Sequence, residues 1–284
     1  MSAWMQPEPA NWTLIVDDAF HEDVGSGDVT SACLDPELLT DWYIEAQAEG
    51  VLCGAGIAEY LLYPYQGDPE TAYFTLHKGD GDRVVRGDRI AEGRLSARRV
   101  LTAERTVLNF MMHLSGVATM TDQFVSRVEG TSCRIVDTRK TLPNLRALQK
   151  YAVRCGGGYS HRMGLYDGVM IKDNHIVACG GISEAVARVR KYASHLIKIE
   201  VECQTLDDVA EALDSGADVV LLDNMDPFMM REAVRRNRGR CLFEASGGIT
   251  LETVRGVAQT GVDIISVGQL THSAPALAMH MEFE

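Results

Sequence analysis

The chain has 284 residues, of which 46% are hydrophobic and 24% are charged, as in ordinary soluble globular proteins. Because no run of about 18 apolar residues occurs, we expect no membrane-spanning helix. The formal net charge of −13 argues against nucleic-acid binding, which needs a basic surface, although clustered cations can still bind small anions. The seven cysteines are dispersed without a CxxC pair, and residues 1–10 lack a secretion signal, so we expect a cytoplasmic protein.

The first 115 residues read as a helix, several strands with tight turns, and a second helix. Apolar residues near Leu14 and Phe20 predict the first helix, which ends at the glycines that follow Val24. Strands are predicted at 42–46 and 73–76, and helical spacing predicts a helix over 101–114.

After residue 130, short β-rich runs alternate with helical stretches such as 183–193 and 206–213. The six runs lie at 134–136, 169–171, 197–201, 219–222, 241–243 and 264–267. This alternation predicts βαβ units and a parallel sheet, in either an incomplete α/β barrel or a doubly wound open sheet. Two further strands that would complete an eight-stranded barrel are not evident in the sequence.

Polar residues or glycines follow all six predicted strands, so we expect one site at their carboxyl ends. Arg139 and Lys140 follow the first strand, and His161 and Arg162 follow a triple glycine; these cations suit carboxylates or phosphates, although a solvated loop would look alike. Lys172 follows the second strand, where burying a cation without a partner would be energetically costly, so a functional role is favoured.

Acids and glycines follow the later strands. Glu202 and Asp223 are oxygen ligands that suit Mg²⁺, but they could equally form salt bridges with Lys140 or Lys172. The Ser246–Gly248 segment, with a helix predicted from about Thr250, is typical of a phosphate cradle. Gly268 and the downstream segment Thr271-His272-Ser273 would extend the cradle.

These segments together resemble the quinolinate phosphoribosyltransferase family over nearly the whole chain. The resemblance rests on motifs in one order: Gly27-Asp28-Val29-Thr30, Ala103-Glu104-Arg105-Thr106, Asp137-Thr138-Arg139-Lys140-Thr141, Gly156-Gly157-Gly158, His161-Arg162, Lys172-Asp173-Asn174-His175, Glu200-Val201-Glu202, Leu222-Asp223-Asn224, Ser246-Gly247-Gly248 and Ser266-Val267-Gly268. Two positions depart from the family pattern, since Ser160 stands where Asn is usual and Asn144 where Gly is usual. Asn tolerates a left-handed backbone, so the turn at Asn144 should survive.

The resemblance implies an α/β protein with an N-terminal α/β sandwich domain and an incomplete parallel α/β barrel. We expect the sandwich at 1–115, with residues 274–284 returning to it, and the barrel at 116–273. The resemblance also implies a homodimer with shared active sites, in which Arg105 reaches the partner's site. From the net charge and the lack of a long apolar run, we expect no nucleic-acid or membrane partner.

The reaction that the resemblance implies converts quinolinate and phosphoribosyl pyrophosphate into nicotinate mononucleotide, pyrophosphate and CO₂, with Mg²⁺. Lys140, Glu202 and Asp223 would be catalytic, and Glu202 and Asp223 would also hold Mg²⁺, partly through water or substrate. The quinolinate site would be cationic, formed by Arg105, Arg139, Lys140, His161, Arg162 and Lys172. The phosphoribosyl group would lie against Glu202, Asp223, Ser246, Gly247, Gly248, Gly268 and His272.

Two rival functions stay open at this point. A related phosphoribosyltransferase acting on another aromatic acid would carry similar motifs. A non-catalytic sensor of phosphate ligands on a barrel scaffold would bind phosphoribosyl pyrophosphate without releasing pyrophosphate.

Overall fold

A computed structural model describes residues 11–63 and 71–284. Residues 1–10, in which the sequence predicts no secretion signal, lie outside this range. The chain divides into two compact units. The first comprises Met1–Asp122, Thr141–Gly157 and Leu270–Glu284, and the second comprises Gln123–Lys140 and Gly158–Gln269.

The first unit is built on a four-stranded antiparallel sheet with the order β12-β1-β5-β3. Its strands are β1 (Leu39–Ala46), β3 (Tyr73–Leu76), β5 (Arg89–Ser96) and β12 (Met279–Phe283), and β2 (Gly50–Val51) pairs separately with β4 (Arg83–Val84). Its helices are α1 (Trp12–Val24), α2 (Ala55–Leu62), most of α3 (Ala97–Arg127), α4 (Arg146–Cys155) and the end of α10 (Gln269–His272), with a 3₁₀ turn at Ser31–Cys33. The predicted helix at the N-terminus and the strands at 42–46 and 73–76 are confirmed.

The C-terminal segment of the chain is an integral part of the first unit. β12 pairs with β1, and the Leu277 backbone N–H donates to the Met112 carbonyl at 2.9 Å. Gly116 of α3 allows this close approach, since a Cβ at Gly116 would lie 2.1 Å from the Pro275 carbonyl oxygen. The segment therefore closes one edge of the sheet and packs against α3.

The second unit contains one six-stranded parallel sheet, which confirms the six predicted strands. They are β6 (Arg134–Val136), β7 (Val169–Ile171), β8 (Ile199–Cys203), β9 (Val219–Asp223), β10 (Leu242–Ser246) and β11 (Ile264–Ser266). The helices that connect them are α5 (Asp173–Cys179), α6 (Ile182–Arg190), α7 (Leu206–Asp214), α8 (Pro227–Asn237) and α9 (Val254–Ala258).

The strand order distinguishes the two predicted sheet types. The order is β6-β11-β10-β9-β8-β7, so the first strand pairs with the last and each remaining strand pairs with the next. A doubly wound sheet would reverse direction at an interior strand. The second unit is therefore an incomplete α/β barrel, open between β6 and β7.

Local sequence signals explain where two of these helices begin. Asp226 caps α8 by accepting from the N–H groups of Phe228 and Met229 at 2.8 and 2.9 Å, and Pro227 occupies the first helical position. Thr205 and Asp208 form a reciprocal capping box at the start of α7.

The helix predicted over 101–114 is part of the longer α3, because its apolar face continues past Leu114 through buried residues such as Phe124. Since α3 runs through residue 115 without a break, the first compact unit continues to Asp122, and the expected domain boundary at 115/116 stays a prediction. Residues 141–157 also belong to the first unit, where buried Gln149 donates to the Thr271 carbonyl at 2.6 Å and accepts from the Leu142 N–H at 2.8 Å.

None of the helices within residues 11–63 and 71–284 combines the length and the hydropathy that a bilayer crossing requires.

We expect Gly116→Ala to lower the stability of the protein. Replacing glycine in a helix normally gains about 1 kcal/mol, but at this position the methyl group would overlap the Pro275 carbonyl, so we expect a net loss of about 1–3 kcal/mol. Thermal unfolding measures the effect. Gly256→Ala in α9 is the matched control, because a Cβ there meets nothing within 4 Å; equal melting temperatures for the two variants would contradict this packing.

Candidate active site

The barrel sheet of the second unit turns a polar face inward along three adjacent strands. Glu200 and Glu202 are two positions apart on β8, so their side chains lie on the same face of the sheet. The strand register places Glu202, Leu221 and Glu244 side by side on β8, β9 and β10. Asp223 pairs with Ser246 one step closer to the carboxyl ends. Because paired residues of parallel strands share a face, these four carboxylates and the serine lie on one surface of the sheet.

The predicted site residues of the second unit occur at the carboxyl ends of the strands, as the sequence predicts. Arg139 and Lys140 follow β6, and Lys172 follows β7. Glu202 lies near the end of β8, and Asp223 ends β9. Ser246 ends β10 and is followed by Gly247 and Gly248, and Gly268 lies after β11. His161 and Arg162 lie in the segment between α4 and β7. Arg105 and His272 belong to the first unit.

Two guanidinium groups give the strand ends a positive potential. Burial, and then the nearby positive charge of Arg139, lower the pKa of Arg162. One Arg162 N–H donates to the Gly168 carbonyl at 2.9 Å, and a guanidinium offers further donors for an anion. The Lys140 backbone N–H donates to the Thr138 hydroxyl at 3.0 Å, which fixes the turn that carries Arg139 and Lys140.

Lys172 forms an ion pair with Glu202, one of the two alternatives that the sequence leaves open for this acid. The Lys172 side chain is 45% exposed and that of Glu202 is 12% exposed. The ammonium group is therefore accessible to a substrate, while its charge is balanced by the acid from the next strand.

His161 lies over two buried acids. Its Nε2 atom is 3.1 Å from Glu200 and 3.5 Å from Glu244, whose side chains are only 7% and 3% exposed. On the other side of the ring, Nδ1 accepts from the Arg162 backbone N–H at 2.7 Å. The His161 backbone N–H donates to fully buried Asp137 at 2.9 Å. Both ring nitrogens of His161 thus have partners within the protein.

The charge of Glu200 affects the ionisation of Glu244 beneath His161. Burial, and then the charge of Glu200, raise the pKa of Glu244 to about 7, although His161 and the Ser266 hydroxyl act in the opposite direction. Two carboxylates in contact in a low-dielectric interior do not both ionise readily. Glu244 is therefore the group that retains a proton up to neutral pH.

The end of β10 has the backbone geometry of a tight anion-binding turn. Gly247 and Gly248 have φ values of 97° and 58°, a conformation that favours glycine. A Cβ at Gly247 would lie 2.2 Å from the Asn224 side-chain oxygen. The helix predicted from about Thr250 begins later, at Val254, and has only five residues, because residues 251–253 form turns. The glycine backbone, rather than a long helix, offers donors at this position.

Glu202 and Asp223 are carboxylates of the kind that suits Mg²⁺. They lie on neighbouring strands, and neither belongs to a cluster of three or more His, Cys, Asp or Glu ligand atoms in the part of the chain that the structure describes. Mg²⁺ commonly takes one or two carboxylates and completes its shell with water and substrate phosphates.

Arg105 and His272 have ordinary surroundings in the first unit. Arg105 is exposed and lies 3.7 Å from Glu104, and His272 Nδ1 is 2.6 Å from the Ser273 hydroxyl. Asn144 has a φ of 62°, so the turn there keeps the left-handed backbone expected for the usual glycine.

Sequence reasoning did not single out three buried acids of the second unit. Asp137 and Glu200 stand out in the sequence only as members of motifs, and Glu244 belongs to none of these motifs. A signal was present for two of them: Glu200 and Glu202 alternate within one strand, and Glu244 interrupts the apolar run Leu242-Phe243-Glu244-Ala245. A charged residue inside a buried strand is costly unless it has a partner.

Comparisons with known proteins agree with this arrangement. The N-terminal and C-terminal domain profiles of quinolinate phosphoribosyl transferase match residues 28–115 and 117–282. A probable nicotinate-nucleotide pyrophosphorylase [carboxylating] of Bacillus subtilis is 46% identical over 93% of this chain and 90% of its own length. The crystal structure of nicotinate-nucleotide pyrophosphorylase from Ehrlichia chaffeensis is 38% identical, with a TM-score of 0.91 over 96% of this chain and 98% of that one. The chain belongs to the quinolinate phosphoribosyl transferase family.

We expect the free energy of unfolding to fall as the pH rises from about 4.5 to about 7. Below 4.5 Glu244 is protonated in both states; above it the unfolded chain loses this proton while the folded chain, with its raised pKa, retains it. Glu244→Gln should flatten this part of the profile, measured by chemical denaturation at several pH values. Glu129→Gln, at an exposed acid, is the control; an unchanged slope in Glu244→Gln would contradict the assignment.

Proposed function

We propose that this chain transfers the phosphoribosyl group of phosphoribosyl pyrophosphate to the ring nitrogen of quinolinate, with loss of CO₂, to give nicotinate mononucleotide and pyrophosphate. The single observation that carries the proposal is the placing of cations at the strand ends of a chain that matches both domain profiles of the family, with Arg139 after β6, Arg162 before β7 and Lys172 after β7. Several cations at one end of a barrel favour a ligand with two negative charges. Quinolinate carries two neighbouring carboxylates.

The residues of the second unit divide naturally between the two substrates. Arg139, Arg162 and Lys172 would bind the pyridine dicarboxylate. Ser246 with the glycines that follow it would receive the 5-phosphate through backbone N–H groups and the hydroxyl. Glu202 and Asp223 lie on β8 and β9, between β7, which precedes Lys172, and β10, which ends at Ser246, and they would hydrogen-bond the ribose hydroxyls. This order along the sheet would place the ribose beside the pyridine nitrogen.

Catalysis would come mainly from alignment and fixed charge. The bond from the ribose C1 to pyrophosphate breaks as the bond to nitrogen forms, with positive charge on the sugar ring. Lys140 would stabilise the negative charge that leaves, and Glu202 and Asp223 would stabilise the charge on the sugar. Mg²⁺ held by Glu202 and Asp223 would supply neutralising charge for the pyrophosphate.

Decarboxylation then follows from the chemistry of the product. Alkylation makes the ring nitrogen positive, and this charge stabilises the carbanion that remains at C2 when CO₂ leaves. The carbanion takes one proton, which completes nicotinate mononucleotide. The protein's part in this step is to hold the carboxylate away from bulk water.

We further propose a homodimer in which Arg105 of the partner subunit completes the quinolinate site. An exposed arginine on a helix that otherwise carries many buried apolar residues supports this role. We also propose a cytoplasmic location, which the seven free cysteines support because a reducing compartment keeps thiols free.

A turnover assay with purified protein tests the proposed function. We expect pyrophosphate release that requires quinolinate, phosphoribosyl pyrophosphate and Mg²⁺, with one CO₂ formed for each nicotinate mononucleotide. Turnover of nicotinate but not quinolinate would instead identify a transferase for another aromatic acid. Binding of phosphoribosyl pyrophosphate without pyrophosphate release would identify a sensor, and either result would overturn the proposal.

Two substitutions should affect turnover and binding separately. We expect Lys140→Ala to lower kcat by about 10²–10³-fold and Arg105→Ala to raise the KM for quinolinate by about 10–100-fold, since a hydrogen bond to a charged group is worth about 1.5–3 kcal/mol. Steady-state kinetics with each substrate varied measures both. Heterodimers of the two variants should recover part of the activity, and no recovery in verified heterodimers would contradict sharing of sites.

A further inference from the structure

A cluster of polar groups lies beneath the cations of the second unit. His161 Nε2 is 3.1 Å from Glu200 on β8 and 3.5 Å from Glu244 on β10, and both Glu200 and the Ser266 hydroxyl of β11 interact with Glu244. On the other side of the ring, His161 Nδ1 accepts from the Arg162 backbone N–H at 2.7 Å. These contacts tie the segment that contains His161 and Arg162 to the interior of the sheet.

The partners of His161 determine which form of the ring is present. A backbone N–H can only donate, so Nδ1 must carry a lone pair, and the ring proton must be on Nε2. This proton is directed at Glu200. The ring is therefore neutral, and both nitrogens are committed to the protein rather than to an anion.

Glu200 and Glu244, which contact the ring, favour a protonated imidazole, whereas the positive charges of Arg162 and Arg139 oppose it. Arg162 already has a lowered pKa because of burial and the charge of Arg139. An imidazolium at His161 would add a third positive charge to those of Arg139 and Arg162. The ionisable groups that share this region are Asp137 on the loop after β6, Lys172 after β7, Glu202 on β8 and Asp223 on β9. Lys172 and Glu202 balance each other as an ion pair.

We infer that Glu200 and Glu244 are positioning residues for quinolinate binding: they hold neutral His161 in one orientation, and His161 in turn fixes the backbone of Arg162. This inference rests on the proposed function and revises the expected role of His161, which becomes a support for the carboxylate-binding arginine rather than a ligand of the carboxylate. Protonated Glu244 would donate a hydrogen bond from its carboxyl hydroxyl to Glu200, and this bond would hold Glu200 in place beneath His161. The raised pKa of Glu244 agrees with this role.

Two variants at Glu244 separate a positioning role from general packing. Glu244→Gln retains the shape and an N–H donor for Glu200, so its KM for quinolinate should stay within about threefold of wild type. Glu244→Ala removes the donor and should raise the KM for quinolinate by about tenfold or more, because small misplacements of a binding group are costly. The KM for phosphoribosyl pyrophosphate should change less than about twofold in both, and Glu129→Ala should match wild type.

The ring form of His161 is measured directly by ¹⁵N NMR of histidine-labelled protein near neutral pH, with His161→Gln used to assign the signal. We expect one pyridine-type and one pyrrole-type nitrogen, with the proton on Nε2, in wild type and in Glu244→Gln. A doubly protonated ring would overturn the inference, and so would a folded Glu244→Ala variant with an unchanged KM for quinolinate. If Glu244→Ala does not fold, the protonation of the His161 ring in wild type and in Glu244→Gln tests the inference instead. Because the NMR measurement needs no turnover, failure of the inference is distinguishable from failure of the proposed function.

Discussion

Cations at the ends of the barrel strands have to be held close together before any anion arrives, and buried acids of the same strands make this possible. Burial, and then the positive charge of Arg139, lower the pKa of Arg162. Glu200 and Glu202, on the same face of β8, provide compensating negative charge: Glu200 contacts His161 and Glu202 pairs with Lys172. The pocket is thus a layered arrangement, with acids inside and cations at the rim.

This layering explains why a protein with a net charge of −13 can bind a dianion. Electrostatic interactions weaken with distance and with screening by salt, so the local arrangement matters more than the total charge. Near the strand ends, Glu200 and Glu244 are buried and Glu202 is paired with Lys172, whereas Arg139 and Lys140 are exposed. A small anion approaching the strand ends therefore meets the cations first. The same arrangement gives weak support for binding a nucleic acid, which needs an extended basic surface.

Much of the fold could be predicted from the sequence because the signals are local. Each strand of the barrel is a short β-rich run bounded by helical stretches, and the residues after each run were polar or glycine. The strand order was not predictable, because the pairing of β6 with β11 depends on contacts between residues about 130 positions apart. The late start of α9 at Val254 and the place of α4 in the first unit likewise depend on packing that no local pattern reveals.

The candidate site was predictable at the level of residue types but not of partners. Arg139, Arg162 and Lys172 stand out as cations after strands, yet only the structure pairs Lys172 with Glu202. His161 looked like one more cation for the ligand. Its actual contacts, with Glu200, Glu244 and the Arg162 backbone, come from three separate segments and could not be inferred from spacing.

A crystal structure of the protein with quinolinate bound is the most direct test of whether the cations at the strand ends bind this substrate. The account predicts both carboxylates at the carboxyl ends of the barrel strands, with guanidinium nitrogens of Arg139 and Arg162 at about 2.7–3.0 Å from carboxylate oxygens. It also predicts that Nε2 of His161 stays on Glu200. Quinolinate bound away from these arginines, or a His161 ring turned to contact a carboxylate, would contradict it.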